Sequence, residues 1–164
     1  MTTFSRDWDD CPVNTETFAV DADRFASARR EAKRGILGGG RVLVENETGL
    51  LFCRVKDDFD GWDVVGGSCE PDDGSLEATA RREADEEVGL DVTITDLLAI
   101  NRFSLEHDGE TVTGEWAIFA GTTRESSLDV QTEELHEARW FESPPEHVNR
   151  HLEPALAQFS RRRR

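Results

Sequence analysis

The segment from Ser75 to Val88 reads as one helix lying between stretches of strand period, and it carries acids on the side that ought to be dry. At about 100° per residue, Leu76, Ala80, Ala84 and Val88 line up as an apolar stripe that has to face a sheet. Glu83, Glu86 and Glu87 fall together within about 100° of arc beside that stripe, with Glu87 projecting between Ala80 and Ala84, whereas Asp85 points elsewhere. A carboxylate aimed at an apolar face is costly unless a cation or a donor meets it. The i, i+3, i+4 spacing would bring three carboxylates onto one hard cation or a pair of them.

Composition supplies the competing explanation. Of 164 residues, 35 are Asp or Glu and 19 are Lys or Arg, a net charge of -16, so acidic clusters arise by chance. Only Lys33 and Lys56 are lysines. Acid excess with arginine far above lysine suggests a halophilic protein in a high-salt cytoplasm, where a Debye length of about 3 Å at 1 M screens self-repulsion. Non-specific binding to nucleic acid or to an anionic membrane is disfavoured. Cys11, Cys53 and Cys69 form neither a CxxC pair nor an even framework, which points to a reducing interior and buried or incidental thiols. The chain shows no apolar run of membrane length and no signal-like start, so a soluble cytoplasmic protein is expected.

Along the chain two zones separate. Residues 1–36 read as irregular Asp- and Pro-containing chain followed by a helical lead-in, "DADRFASARREAKRG", with Phe25, Ala28 and Ala32 at helical spacing. Residues 37–164 form the main domain. "GRVLVENETGLLFCRVK" reads as a hairpin around Asn46 to Gly49, "WDVVGG" as a short strand, and "DVTITDLLAINRFSLEHDGETVTGEWAIFAG" as a long hairpin turning at Asp108-Gly109. "HEARWFES" reads as a last strand before a helix near "PEHVNRHLEPALAQF". Strands around a single mid-chain helix predict the α/β class, a mixed sheet with helices packed on it.

The residues flanking the acidic helix carry a family resemblance. "GG-(loop)-RREADEEVGL" resembles the signature of the Nudix hydrolases: Gly, five residues, Glu, seven residues, then Arg-Glu-apolar-any-Glu-Glu-any-Gly-apolar. The right half is complete from Arg82 to Leu90. The left half departs from the pattern, because Asp73 stands where Glu is expected and eight residues separate it from Arg82. An extra residue at Gly74 accounts for this; counting from the right instead puts Gly74 at the Glu position and leaves Asp73 without a role. Val65 stands where the family often has Pro.

The resemblance implies an α/β/α sandwich and a hydrolase that cleaves a diphosphate bond in a nucleoside diphosphate linked to a further group, using Mg²⁺ or Mn²⁺. It implies Glu83, Glu86 and Glu87 as metal ligands, with the backbone carbonyl of Gly67 or Gly66 as a further oxygen, and Arg82 as the residue that orients these glutamates. Gly66 and Gly67 would allow close backbone approach, and Gly89 would cap the helix in the left-handed conformation. A base from the loop before a late tryptophan-bearing strand corresponds to "TEELHEARW". There Glu134 fits best, Glu133 and Glu137 share its chemistry, and Glu83 is the next candidate. Trp62 either lines the substrate side or fills core, Trp116 and Trp140 read as core, and the final "RRRR" reads as a frayed tail.

Substrate choice is narrowed by absences. The family's NADH signature "SQPWPFPxS" is missing, no proline lies between Pro71 and Pro144, and the chain has no tyrosine. These leave nucleoside triphosphates as the favoured substrate. The expected partner is thus a small nucleotide, with no nucleic acid and no membrane, and with a homodimer admitted as an assembly. A regulatory module that binds nucleotide without hydrolysis is the alternative; such modules lose box glutamates, and all three are present here.

Overall fold

The computed structural model describes residues 10–57 and 59–164. Strand β1 (Val13–Ala19) leads into helix α1 (Ala22–Lys33), followed by β2 (Gly38–Glu45), β3 (Leu50–Val55) and β4 (Val65–Ser68). Helix α2 (Leu76–Val88) then precedes the long hairpin of β5 (Thr93–His107) and β6 (Glu110–Thr122), and β7 (Leu135–Phe141) leads to a 3₁₀ turn (Arg150–Leu152) and helix α3 (Glu153–Arg162). The strands form one mixed sheet in the order β1-β5-β6-β2-β3-β7, with β4 paired to β2. β1 runs parallel to β5 and β2 parallel to β6, while β5 and β6 are antiparallel.

The sheet separates two cores. Val42, Val44, Val65 and Phe119 pack beneath Ala80, Ala84 and Val88 of α2. On the opposite face Leu43, Phe52, Leu98 and Ile118 meet Leu152 and Ala155 beside α3. Alternating side chains of β2 thus feed both layers, and the result is the expected α/β/α sandwich. The Ser75 hydroxyl caps α2 by accepting from the amide of Ala78, and Gly89 ends it at φ 71°, a left-handed conformation that glycine adopts without steric cost. Asp108 and Gly109 both have positive φ at the tip of the β5–β6 hairpin, where the sequence places the turn.

Three expectations need correction. Residues 13–19, read as irregular chain, are an edge strand in register with β5, Val13 opposite Ile100 through Ala19 opposite Glu106. The terminal helix begins only at Glu153, because Val148 bridges to Trp62 and the amide of Asn149 donates to the Trp62 carbonyl at 2.8 Å, holding the preceding chain extended. The terminal arginines are not a frayed tail. Arg162 donates to the Leu97 carbonyl at 3.1 Å and pairs with Asp96, and Arg163 pairs with Glu45. No described helix is long and apolar enough to cross a membrane.

Candidate active site

Glu83 and Glu87, one turn apart on α2, are both buried although charged, at 9% and 3% exposure. The amide of Gly66 on β4 donates to Glu87 Oε1 at 2.8 Å. A methyl group at Gly67 would lie 2.5 Å from the Glu83 carboxyl carbon, so the glycine pair is what lets α2 and its acids sit against the strand. β2 makes the same allowance, since a Cβ at Gly40 would lie 2.3 Å from the carbonyl oxygen of Leu76.

The exposed carboxylate of Glu134 joins them, and one ligand oxygen from each of Glu83, Glu87 and Glu134 lies within 4.8 Å of the others. Burial pushes the Glu87 carboxyl up to about 8, aided by the charges of Glu83 and Glu134 and opposed by the Gly66 amide and Arg41. Burial likewise raises Glu83, against the pull of Arg82. Convergent carboxylate oxygens, two of them buried, make a hard donor set deficient in positive charge, which fits Mg²⁺ or Mn²⁺.

Arg82 braces this cluster from the loop side. Its Nη1 donates to Glu83 Oε1 at 3.0 Å and to Glu86 Oε2 at 3.1 Å, and its Nη2 donates to the Ser68 carbonyl at 3.0 Å. The other edge of the guanidinium is held by Asp73, which accepts from Nε at 2.7 Å and from Nη2 at 3.0 Å. Asp73 also accepts from the Glu70 amide and the Thr79 hydroxyl. Burial works to raise the Asp73 carboxyl, yet these donors, Arg82 foremost, hold it below its ordinary value. Asp73 therefore has a place in the site as the anchor of Arg82. Gly74, at φ 78° with open space where a Cβ would be, absorbs the extra residue in the turn before α2. Glu86 is more than half exposed and bonds to Arg82 rather than joining the buried pair.

Glu134 owes its position to a residue that sequence reasoning missed. Gln131 donates its backbone amide to the Glu87 carbonyl at 2.8 Å, and its side-chain Oε1 accepts from the Glu134 amide at 2.8 Å. Glu134 ends the turn before β7, whereas Glu137 lies on that strand and pairs with Arg54 and Arg139.

Across the sheet a cleft of about 930 Å³ opens over β1, β5 and β6, lined near its α3 end by Arg41, Asp63, Trp116, Asn149 and His151. Buried Asp63 ties this wall together. Its Oδ2 accepts from His151 Nε2 at 2.9 Å and from Asn149 Nδ2 at 3.4 Å, and Arg41 Nη1 lies 3.8 Å from Oδ1. Burial opposes ionisation of Asp63, but His151 and Arg41 hold its carboxyl below the usual range. The Arg41 guanidinium stacks 5.0 Å from the Trp116 ring. Arg41 also marks where cleft and carboxylates meet, since a Cβ at Gly66 would lie 2.4 Å from Arg41 Cγ while the amide of the same glycine serves Glu87. The only hint in the sequence was the placing of Arg41 directly before the apolar run "VLV". Trp62 is not among the cleft-lining residues and packs edge-on against Phe141 at 4.9 Å, with Arg139 4.8 Å from its ring.

A comparison with curated proteins finds no match. Solved structures resemble the chain in fold. A Nudix hydrolase from Nitrosomonas europaea superposes with TM-score 0.59 at 22% identity, over 77% of this chain and 71% of that one. A UDP-X diphosphatase gives TM-score 0.56 at 17% identity over 88% and 73% of the two chains. An ADP-ribose pyrophosphatase from Streptococcus suis gives 0.55 at 19% identity over 77% and 91%. The sequence profile of the NUDIX domain matches residues 39–162, which takes in β2 through α3 and every carboxylate of the cluster. The chain belongs to the Nudix hydrolases, enzymes that cleave pyrophosphate bonds.

Proposed function

We propose that this enzyme hydrolyses the pyrophosphate bond of nucleoside triphosphates, with Mg²⁺ or Mn²⁺ held by Glu83, Glu86 and Glu87 and by the Gly67 carbonyl. The observation that carries the reading is the convergence of Glu83, Glu87 and Glu134 within 4.8 Å. When bound, the divalent ion supplies neutralisation of phosphate charge and acidification of water. The protein's own part is positional. Arg82, fixed by Asp73, orients Glu83 and holds Glu86 by a hydrogen bond from the same Nη1. Glu134, the exposed member, accepts the proton of the attacking water at its carboxylate. Arg41, at the junction of cleft and cluster, offers a cation to the phosphates, and the cleft receives the nucleoside against Trp116.

Residues 37–164 carry this chemistry, with residues 1–36 as an addition to it. Acid excess, scarce lysine and three unpaired thiols support a reducing, high-salt cytoplasm as its setting. Retention of all three box glutamates, two of them buried, favours turnover over nucleotide binding alone. The test is a hydrolysis panel of nucleoside triphosphates, nucleotide sugars, ADP-ribose and dinucleotides with Mg²⁺ or Mn²⁺ in molar KCl. Triphosphates should be turned over fastest, with loss of activity on chelation. Nucleotide binding without turnover would favour the regulatory module.

A further inference from the structure

Strand β1 lies outside the matched NUDIX domain, which begins at residue 39, and it buries none of its side chains. An edge strand gains main-chain hydrogen bonds, but ordering seven residues without burying a core leaves most of the entropy cost uncompensated. Its outward chemistry is also unusual for this chain. Val13 and Phe18 are the exposed large hydrophobic residues of the described chain, at 46% and 47%. Parallel register with β5 sets Asn14 beside Asn101 and Phe18 beside Leu105, and all four line the cleft. Asn14 Nδ2 donates to Asn101 Oδ1 at 3.2 Å. That leaves Asn14 Oδ1 as an acceptor and Asn101 Nδ2 as a donor, neither with another partner among the described residues.

We infer that β1 is a specificity element of this active site: Phe18 offers its ring to the nucleobase in the cleft, and the Asn14–Asn101 pair reads the base's polar edge. An exposed aromatic face and a paired acceptor and donor are what a flat heterocycle needs, stacking on one surface and hydrogen bonding at its rim. The inference rests on the reading that the cleft holds the nucleoside, and it adds that Phe18 and Asn14, outside the matched domain, join Asn101 in choosing which nucleoside binds.

The experiment measures KM for a panel of nucleoside triphosphates alongside the inhibition constant of tripolyphosphate, which has the phosphates without a base. Phe18→Ala should raise the nucleotide KM by about fivefold or more, fivefold being the low end of a lost base stack, and leave tripolyphosphate inhibition unchanged. Phe18→Trp should restore the KM. Asn14→Ala should alter the ranking among bases, and Val13→Ala, at a residue that does not line the cleft, should behave as the parent. A nucleotide KM within twofold of the parent in Phe18→Ala overturns the inference while leaving the proposed hydrolysis intact. So does a tripolyphosphate constant that rises in step with KM. If the parent neither binds nor hydrolyses any nucleotide, the nucleoside reading of the cleft fails and β1 loses its role with it.

Discussion

The amide of Gln131 donates to the carbonyl of Glu87, so the turn that ends in Glu134 hangs from the same helix that carries the buried acids. A second tie, from the Lys56 amide to the Glu134 carbonyl at 2.8 Å, holds the turn against β3. If Glu134 takes the proton, Glu134→Gln should lower kcat by about 10²-fold or more with little change in metal affinity. Glu133→Gln and Glu137→Gln should do much less. Gln131→Met, which keeps bulk and removes the acceptor, should slow the parent but add little to Glu134→Gln. Parent-like turnover of Glu134→Gln across the pH range would move the base elsewhere, first to Glu83.

Glu87 is buried and Asp85, on the same helix, is exposed. Glu87→Gln should cost on the order of 10² or more in turnover, while Asp85→Asn should change it by less than about twofold, as expected of a surface site. Equal losses at the two positions would undo the assignment of the buried face as the working face.

The raised Glu87 carboxyl makes a pH prediction for the metal-free protein. Its value is about 8 in the fold, against 4.5 for an unperturbed glutamate. Below about pH 4.5 the group is neutral in both states and its favourable contribution is complete; that contribution is lost as pH rises through about 8. In chelator, the Tm of the parent should therefore fall relative to that of Glu87→Gln between about pH 5 and pH 9, by on the order of 10 °C. Adding Mg²⁺ or Mn²⁺ at the upper pH should recover most of the difference. Parallel Tm curves for the two proteins would falsify the assignment.

Asp73 is predicted to matter for stability and rate together. Asp73→Ala removes the bidentate partner of Arg82 and leaves Glu83, Glu86 and the Ser68 carbonyl to hold the guanidinium, a loss of about 2 kcal/mol. A Tm drop of about 5 °C should accompany a lower rate, because Glu83 and Glu86 lose their brace. An unchanged Tm would show that Ser68 and the box glutamates hold Arg82 by themselves.

Screening should stabilise a chain of net charge -16. Raising KCl from dilute buffer toward molar concentration should raise Tm as the Debye length contracts to about 3 Å. A flat or falling Tm would remove the case for high-salt adaptation.

Much of this was legible because it is local. Helix α2 and the placement of Glu83 and Glu87 follow from the 3.6-residue period, and both hairpins follow from their turn residues. β1 was not legible, because "VNTETFA" buries nothing and so shows no period of burial. Asp63, Arg41 and His151 come together from β2, an irregular loop and a 3₁₀ turn, and no short-range pattern joins residues 63 and 151. The terminal arginines found Asp96 and Glu45 across the sheet for the same reason. Asp73 was ambiguous by one position, a question that counting along the chain leaves open and the direction of Arg82 answers.

The missing Cβ at Gly40 has a wider consequence. Strand β2 and helix α2 meet there backbone to backbone, so no rotamer stands between them that could swell or shrink the gap. The height of the carboxylates above the sheet is then fixed by main-chain geometry, which substitutions elsewhere in the core barely alter. Edge strand β1 has no such contact and buries no side chain, so it can change residue by residue at little mechanical cost. A lineage built on this chassis could exchange one substrate for another while the hydrolytic centre stayed still.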